Sequence, residues 1–359
     1  MTVLAESVLH TLQPIAIRLG GGFAIRWYGI SYALGFIAAW LIMRWMSRMR
    51  RTPITVEQVG DLLTWLIGGV LIGGRVGHVL FYEQHLLWTV SGEFPWWGLL
   101  FIHKGGMSSH GGILGVFLAC WWWSRRHAIP VGHVLDMAGF SACPGLGLGR
   151  LANWVNAELW GKPLPESMQA NPPWWSVKYP EQLLQSDFSG TNALSAIAQS
   201  IPVTSDAVVR GMQIAPIPVR GGVDHGYAAD IVYAACYGGD ASVQSKVAPL
   251  LTAYWPSNFI QATSDGVVLF ALLAIVWLKP RKPGVITGCF FMFYGSLRLG
   301  TEQLREIDVG VFHLGPLTLP MLLSLLMVAG GLCIVWCSAR RNVPHMGGLL
   351  PSHVPSGAV

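Results

Sequence analysis

Seven apolar runs divide this sequence, at about 27–46, 61–82, 106–123, 131–150, 259–278, 284–300 and 319–337. Each is near the ~20 residues an α-helix needs to cross a bilayer. Such a chain has few ways to fold. In hydrocarbon every backbone N–H and C=O must be satisfied internally, so spanning segments of this length are helices. The expected fold is an all-α polytopic membrane protein with about seven transmembrane helices. Composition agrees: 52% of the residues are hydrophobic and 11% charged, against roughly a quarter charged in soluble domains. Residues 1–25 lack the basic start, apolar core and cleavage site of a secretory signal, so none is expected.

Orientation follows from the basic residues. Arg48, Arg50 and Arg51 end the first run, Arg125 and Arg126 the third, Lys279, Arg281 and Lys282 the fifth, and Arg340 and Arg341 the seventh. If the spans alternate, all four clusters fall on one side. That side is cytoplasmic, the N-terminus is outside and the C-terminus is cytoplasmic. Trp121, Trp122, Trp123, Trp277 and Trp336 precede these clusters, as interfacial anchors do. The expected division is a membrane domain at 1–158 (spans one to four), an extracytoplasmic head at 159–258, a second membrane part at 259–338 (spans five to seven) and a cytoplasmic tail at 339–359. The head is too long for a plain loop. Ala207-Val208-Val209 and Ile231-Val232-Tyr233 suggest short strands within it. The Pro/Gly-rich tail from 342 is expected to be disordered.

Several function classes fall away. The net charge of +5 is scattered in small clusters between apolar runs, so no nucleic-acid partner is implied. The six cysteines form no disulfide or ligand pattern, and no His or carboxylate pair has metal-ligand spacing. No metal site is expected. No Gly-x-Ser-x-Gly elbow marks a serine hydrolase, and the absence of an internal repeat counts against the common transporter folds.

Polar residues inside the apolar runs carry the functional signal, because charge at that depth is costly and usually serves a ligand. Arg150, Asn153, Asn156 and Glu158 close the fourth run, just before Gly161. Tyr294, Arg298, Glu302 and Arg305 form one helical stripe at the end of the sixth. Arg75, His78 and Tyr82 share a face of the second, His110 lies among four glycines at the start of the third, and Tyr28 begins the first. With the orientation above, all of these lie in the outer leaflet. Blander readings stand beside this one. Arg75 could be a structural arginine neutralised by Glu83 or Glu158. Glu302 could orient Arg298 or Arg305 rather than act as acid or base. Asn153 and Asn156 could be interhelical glue.

These motifs resemble the prolipoprotein diacylglyceryl transferases. The similarity runs through Ile25-Arg26-Trp27-Tyr28-Gly29-Ile30, Gly73-Gly74-Arg75-Val76-Gly77, Gly105 to Gly112, Gly149 to Gly161, Tyr294 to Arg298 and Glu302 to Asp308. The spacing Arg150-x-x-Asn153-x-x-Asn156-x-Glu158 is the family signature. The resemblance implies transfer of a diacylglyceryl group from phosphatidylglycerol to the lipobox cysteine of a preprolipoprotein, with release of glycerol phosphate. It implies no cofactor, and a site at the outer face of the bacterial inner membrane. Family functional residues map onto Tyr28, His110, Arg150, Asn153, Glu158, Gly161, Tyr294, Arg298 and Glu302. One block departs: where the family has His-Pro-Ser/Thr-Gln-Leu-Tyr-Glu, this chain has Trp255-Pro256-Ser257-Asn258-Phe259-Ile260-Gln261. Tyr179-Pro180-Glu181-Gln182-Leu183 is a second possible match, but no apolar run follows it.

The chemistry suits these residues. Arginines stay charged in a dry site and stabilise a leaving phosphate, which points to Arg150 and Arg298 as catalytic groups. His110 could take the proton of the attacking thiol or hydrogen-bond the headgroup. Arg75, Asn153, Asn156, Tyr28, Glu158, Gly161, Tyr294 and Glu302 are the expected substrate-binding set. An outer-leaflet lipid transporter could use the same cationic pocket, and a phospholipase-like hydrolase would transfer the lipid to water instead.

Overall fold

The computed structural model describes residues 7–20, 23–92, 95–101, 105–185, 188–214, 227–306, 313–314 and 317–350. The long helices are α1 (Trp27–Arg48), α2 (Val56–Phe81), α3 (Ser109–His127) and α4 (Val131–Val155). Four shorter helices follow: α5 (Thr191–Gln199), α6 (Asp206–Ile214), α7 (Tyr227–Tyr237) and α8 (Ala241–Val247). Three more long helices close the chain: α9 (Ser257–Val276), α10 (Val285–Glu302) and α11 (Leu319–Arg340). Among the described residues α1, α2, α9 and α11 are long and apolar enough to cross a membrane. The expected runs at 106–123, 131–150 and 284–300 are also helical, with more Gly, Ser and polar residues. The protein is thus mostly helical and of polytopic membrane character.

The chain forms two compact units. The first comprises Met1–Ala33, Leu146–Gly266 and Leu297–Leu322, the second Leu34–Gly145, Val267–Ser296 and Leu323–Val359. In the second unit, α2 and α3 approach backbone to backbone. A Cβ on Gly69, Gly73, Gly111 or Gly115 would overlap a main-chain atom of the facing helix, so only glycine permits this packing. Asp136, buried in α4, caps α10: its carboxylate accepts from Thr287 N and Oγ1 at 2.7 Å each and from Gly284 N at 2.8 Å. These donors and the helix N-terminus offset the cost of burying the carboxylate.

The tail is not disordered through its described part. Arg281 and Met346 exchange backbone hydrogen bonds, Leu349 N donates to Trp277 O at 2.9 Å, and Leu350 N donates to Leu278 O at 3.0 Å. Gly347 and Gly348 take positive φ so that the chain can lie against Trp277 and Pro280. Composition suggested disorder, but these glycines make close backbone pairing possible.

In the first unit the segments expected as strands are helices. Val208 and Val209 lie in α6, and Ile231, Val232 and Tyr233 in α7. Gly211 and Gly238 let these two helices touch, and the buried Val208, Val232, Ala234 and Ala235 fill the seam. Burial on a helix face has overridden β-branched propensity. Strand β1 (Val8–Leu9) pairs in parallel with β4 (Val177–Lys178), and β2 (Ile15–Gly20) pairs antiparallel with β3 (Phe23–Arg26) just before α1. After β1, His10 is buried against Trp154, Tyr179 and Tyr237. Burial pushes its pKa down to about 4. Tyr237 in turn donates to Glu181. Tyr179 to Leu184 therefore belongs to this core, whereas the span-length helix α9 follows Trp255-Pro256.

Candidate active site

Most of the expected site residues lie in the first unit, around the loop that follows α4. In that loop Ala157 and Leu159 have φ of 52° and 56°. Residues with a Cβ seldom adopt this conformation, so the surrounding bonds must hold it. Glu158 N donates to Asn153 O at 2.9 Å, and Trp160 Nε1 donates to Ala157 O at 2.7 Å. From α9, Ser257 Oγ donates to Leu159 O and Asn258 Nδ2 to Glu158 O, both at 2.9 Å. Gly161 then bridges to Arg305, and a Cβ there would overlap the Trp255 carbonyl. The missing Cβ of Gly161 allows this close backbone approach.

The loop turns Glu158 back over its own helix end. Tyr28, in the first turn of α1, donates to the Glu158 carboxylate at 2.7 Å. Asn153 Nδ2 donates to Tyr28 Oη and, at 3.3 Å, to Glu158. Three residues separated in sequence thus become one hydrogen-bonded group. The β2–β3 hairpin sets the start of α1, where Trp27 N donates to Pro14 O at 3.2 Å.

Arg150 is fixed by a residue the sequence reading missed. Its Nε donates to Asp265 Oδ2 at 3.1 Å, and Asp265 is fully buried. Asp265 lies in a π-helical turn, Thr263–Val268, within α9. Such turns recur at functional sites. The missed signal was plain: Asp265 is the one charged residue between Phe259 and Leu278, and intramembrane carboxylates are rarely idle. Arg298 pairs with Glu302 one turn along α10, Nη2 to Oε2 at 2.8 Å, with Glu302 buried. Glu302 is thus placed beside the guanidinium of Arg298. Both arginines have a carboxylate that sets the plane of the guanidinium.

In the second unit Arg75 is buried and bonded to carbonyls rather than to a carboxylate. Nε donates to Leu99 O and Nη2 to Gly98 O, each at 2.8 Å, while Nη1 donates to Gly105 O at 2.9 Å and Gly106 O at 3.1 Å. The alternative in which Glu83 or Glu158 neutralises Arg75 is corrected: backbone carbonyls hold its guanidinium. Glu83 lies instead 3.4 Å from His78 Nε2. Arg75 holds the segment leading into α3, whose second residue is His110. Ser108 caps that helix, its Oγ accepting from Gly111 N at 3.3 Å, and Ser108 N donates to Gly74 O at 2.8 Å. His110 itself is exposed. Tyr294 stacks on Phe290 with centroids 5.9 Å apart.

The family model described as "Prolipoprotein diacylglyceryl transferase" matches residues 14–337. The phosphatidylglycerol–prolipoprotein diacylglyceryl transferase of Bdellovibrio bacteriovorus is 35% identical over 343 residues, covering 92% of this chain and 95% of that protein. The protein of the same name from Stenotrophomonas maltophilia is 33% identical over 341 residues, covering 93% and 94%. That from Bradyrhizobium diazoefficiens is 30% identical over 342 residues, with the same coverage. The chain belongs to the prolipoprotein diacylglyceryl transferase family.

Proposed function

We propose that this protein transfers the diacylglyceryl group of phosphatidylglycerol to the lipobox cysteine thiol of a preprolipoprotein. The observation that carries this reading is the near full-length match to relatives bearing that name. The thiol sulfur attacks the glyceryl carbon that bears the phosphate. The C–O bond breaks, its electron pair goes to the phosphate oxygen, and glycerol phosphate leaves. Negative charge grows on the leaving group, so fixed cationic donors lower the barrier. Arg150, oriented by Asp265, and Arg298, oriented by Glu302, fill that role. The Tyr28–Asn153–Glu158 group supplies polar contacts for the headgroup, and His110 takes the thiol proton. Arg75 acts as an anchor of the loop before His110, through its four carbonyl bonds, rather than as a headgroup ligand.

In the same reading, the chain crosses the bacterial inner membrane seven times, with the N-terminus and residues 159–258 outside and the basic clusters inside. The outer leaflet then supplies the phospholipid. Impermeant thiol labelling of cysteines placed at 190 and 280 in a cysteine-free background checks this: in intact spheroplasts only the first should label.

The decisive assay mixes purified protein, labelled phosphatidylglycerol and a lipobox peptide. Thioether-linked diacylglyceryl peptide and an equal amount of glycerol phosphate are expected. Release of diacylglycerol that does not need the peptide thiol would make the protein a hydrolase instead.

A further inference from the structure

The residues where α4 and α9 pack contain polar atoms that the transfer chemistry above does not use. Gln261 is 1% exposed, and both Oε1 and Nε2 lack a hydrogen-bond partner among the described residues. Asn258 is also 1% exposed; its Nδ2 holds Glu158 O, but its Oδ1 has no partner. Across from them, Asn156 Oδ1 and Trp154 Nε1 are equally closed off and unpartnered. Buried amide groups without partners are rare, because each forfeits its hydration. Here five such atoms belong to four side chains on two packed segments. Trp154 packs on Phe259 at 4.6 Å, Ser257 and Asn258 bond the loop after α4, and Gly147 lies against Ala262 and Gly266.

Three further observations connect these residues with a ligand. Asn258, Gln261 and Asp265 follow at i, i+3 and i+7 on one helix face, and Asp265 is the carboxylate that orients Arg150. The π-helical turn begins two residues after Gln261, the kind of local distortion found at functional sites. The unpartnered atoms are also chemically mixed: Trp154 Nε1 and Gln261 Nε2 donate, while Asn156 Oδ1, Asn258 Oδ1 and Gln261 Oε1 accept. A phosphate or a carboxylate can only accept, and an ammonium can only donate. A hydroxyl does both. None of these four side chains is charged, so nothing in the set favours an ionic group.

We propose that Trp154, Asn156, Asn258 and Gln261 form a neutral polyol subsite that recognises the free hydroxyls of the glycerol headgroup, while the arginines take its phosphate. This deepens the transferase reading and rests on it. Gln261 is then a specificity-determining residue for the donor lipid.

The test compares two donors, phosphatidylglycerol and phosphatidyl-1-propanol, whose headgroup has the same length without hydroxyls. A site that hydrogen-bonds a hydroxyl rejects the analogue lacking it by a large factor, and here a preference on the order of a hundredfold in kcat/KM is expected. In Gln261→Met, which keeps the side-chain length, that preference should fall by about tenfold or more through a raised KM for phosphatidylglycerol. Equal use of both donors by the unaltered protein would overturn the subsite, whatever the variant does. So would an undiminished preference in a correctly inserted Gln261→Met. Failure of the unaltered protein to transfer from phosphatidylglycerol at all would instead remove the transferase reading, and the subsite with it.

Discussion

Asp265 offers the sharpest test of the catalytic arrangement. It touches Arg150 through one 3.1 Å contact and is itself fully buried. A hydrogen bond to a charged group is worth about 1.5–3 kcal/mol. Asp265→Asn keeps the shape and an acceptor oxygen but removes the charge, which contributes roughly half of that strength. About 0.8–1.5 kcal/mol of orienting energy is therefore lost. If Arg150 acts on the leaving phosphate, this appears as a drop of roughly 4- to 13-fold in kcat/KM, mainly in kcat. Asp265→Glu should recover part of the loss, because it restores the charge at a displaced position. Asp265→Leu should be worse still: it removes the acceptor altogether, and breaking a buried ion pair costs about 3–5 kcal/mol. The assay is thioether formation over a range of phosphatidylglycerol concentrations, using protein matched for expression and insertion. Native kcat/KM in Asp265→Asn would refute the claim that this carboxylate orients a catalytic arginine.

Other outcomes follow from the same structure. If His110 takes the thiol proton, His110→Gln should lower kcat with KM little changed; a native kcat with a raised KM would make it a headgroup contact. His10, held at about 4 in the folded state against 6.5 for a free histidine, remains neutral where the unfolded chain binds a proton. Stability should then fall by about 3 kcal/mol as pH drops from about 6.5 to 4, and level off below. Fluorescence-monitored melting should show a shallower slope in His10→Gln, and equal slopes would refute the linkage. Truncation after Arg341 removes the backbone pairing with Trp277, Leu278 and Arg281. It should lower Tm by a few degrees, since each kcal/mol shifts Tm by roughly 2–4 °C at about 150–250 residues and by less in a longer chain; an unchanged Tm would show that the tail contributes nothing.

Much of the protein could be read from residue order. Helices at the apolar runs follow from length and hydropathy alone, because a backbone in lipid has few other ways to satisfy its hydrogen bonds. The candidate residues Tyr28, Arg150, Asn153 and Glu158 could be named because polar groups are conspicuous in apolar runs. That Gly73 and Gly111 let α2 and α3 touch emerged only from the packing, since only a missing Cβ allows that distance. What residue order could not supply was the pairing. Asp265 meets Arg150 across more than a hundred residues, and Arg75 is satisfied by four carbonyls rather than a carboxylate. A side chain's partner depends on which segments pack, and packing is a property of the whole chain. The same holds for α6 and α7. Their valines favour strands locally, and the core they share with Ala234 and Ala235 makes them helices. The tail from Arg341 to Leu350 looked disordered because composition reports local preference, whereas its order comes from a strand-like contact with residues more than sixty positions earlier. Local chemistry thus determined which residues carry charge and where the chain turns helical; only tertiary packing decided which of them meet.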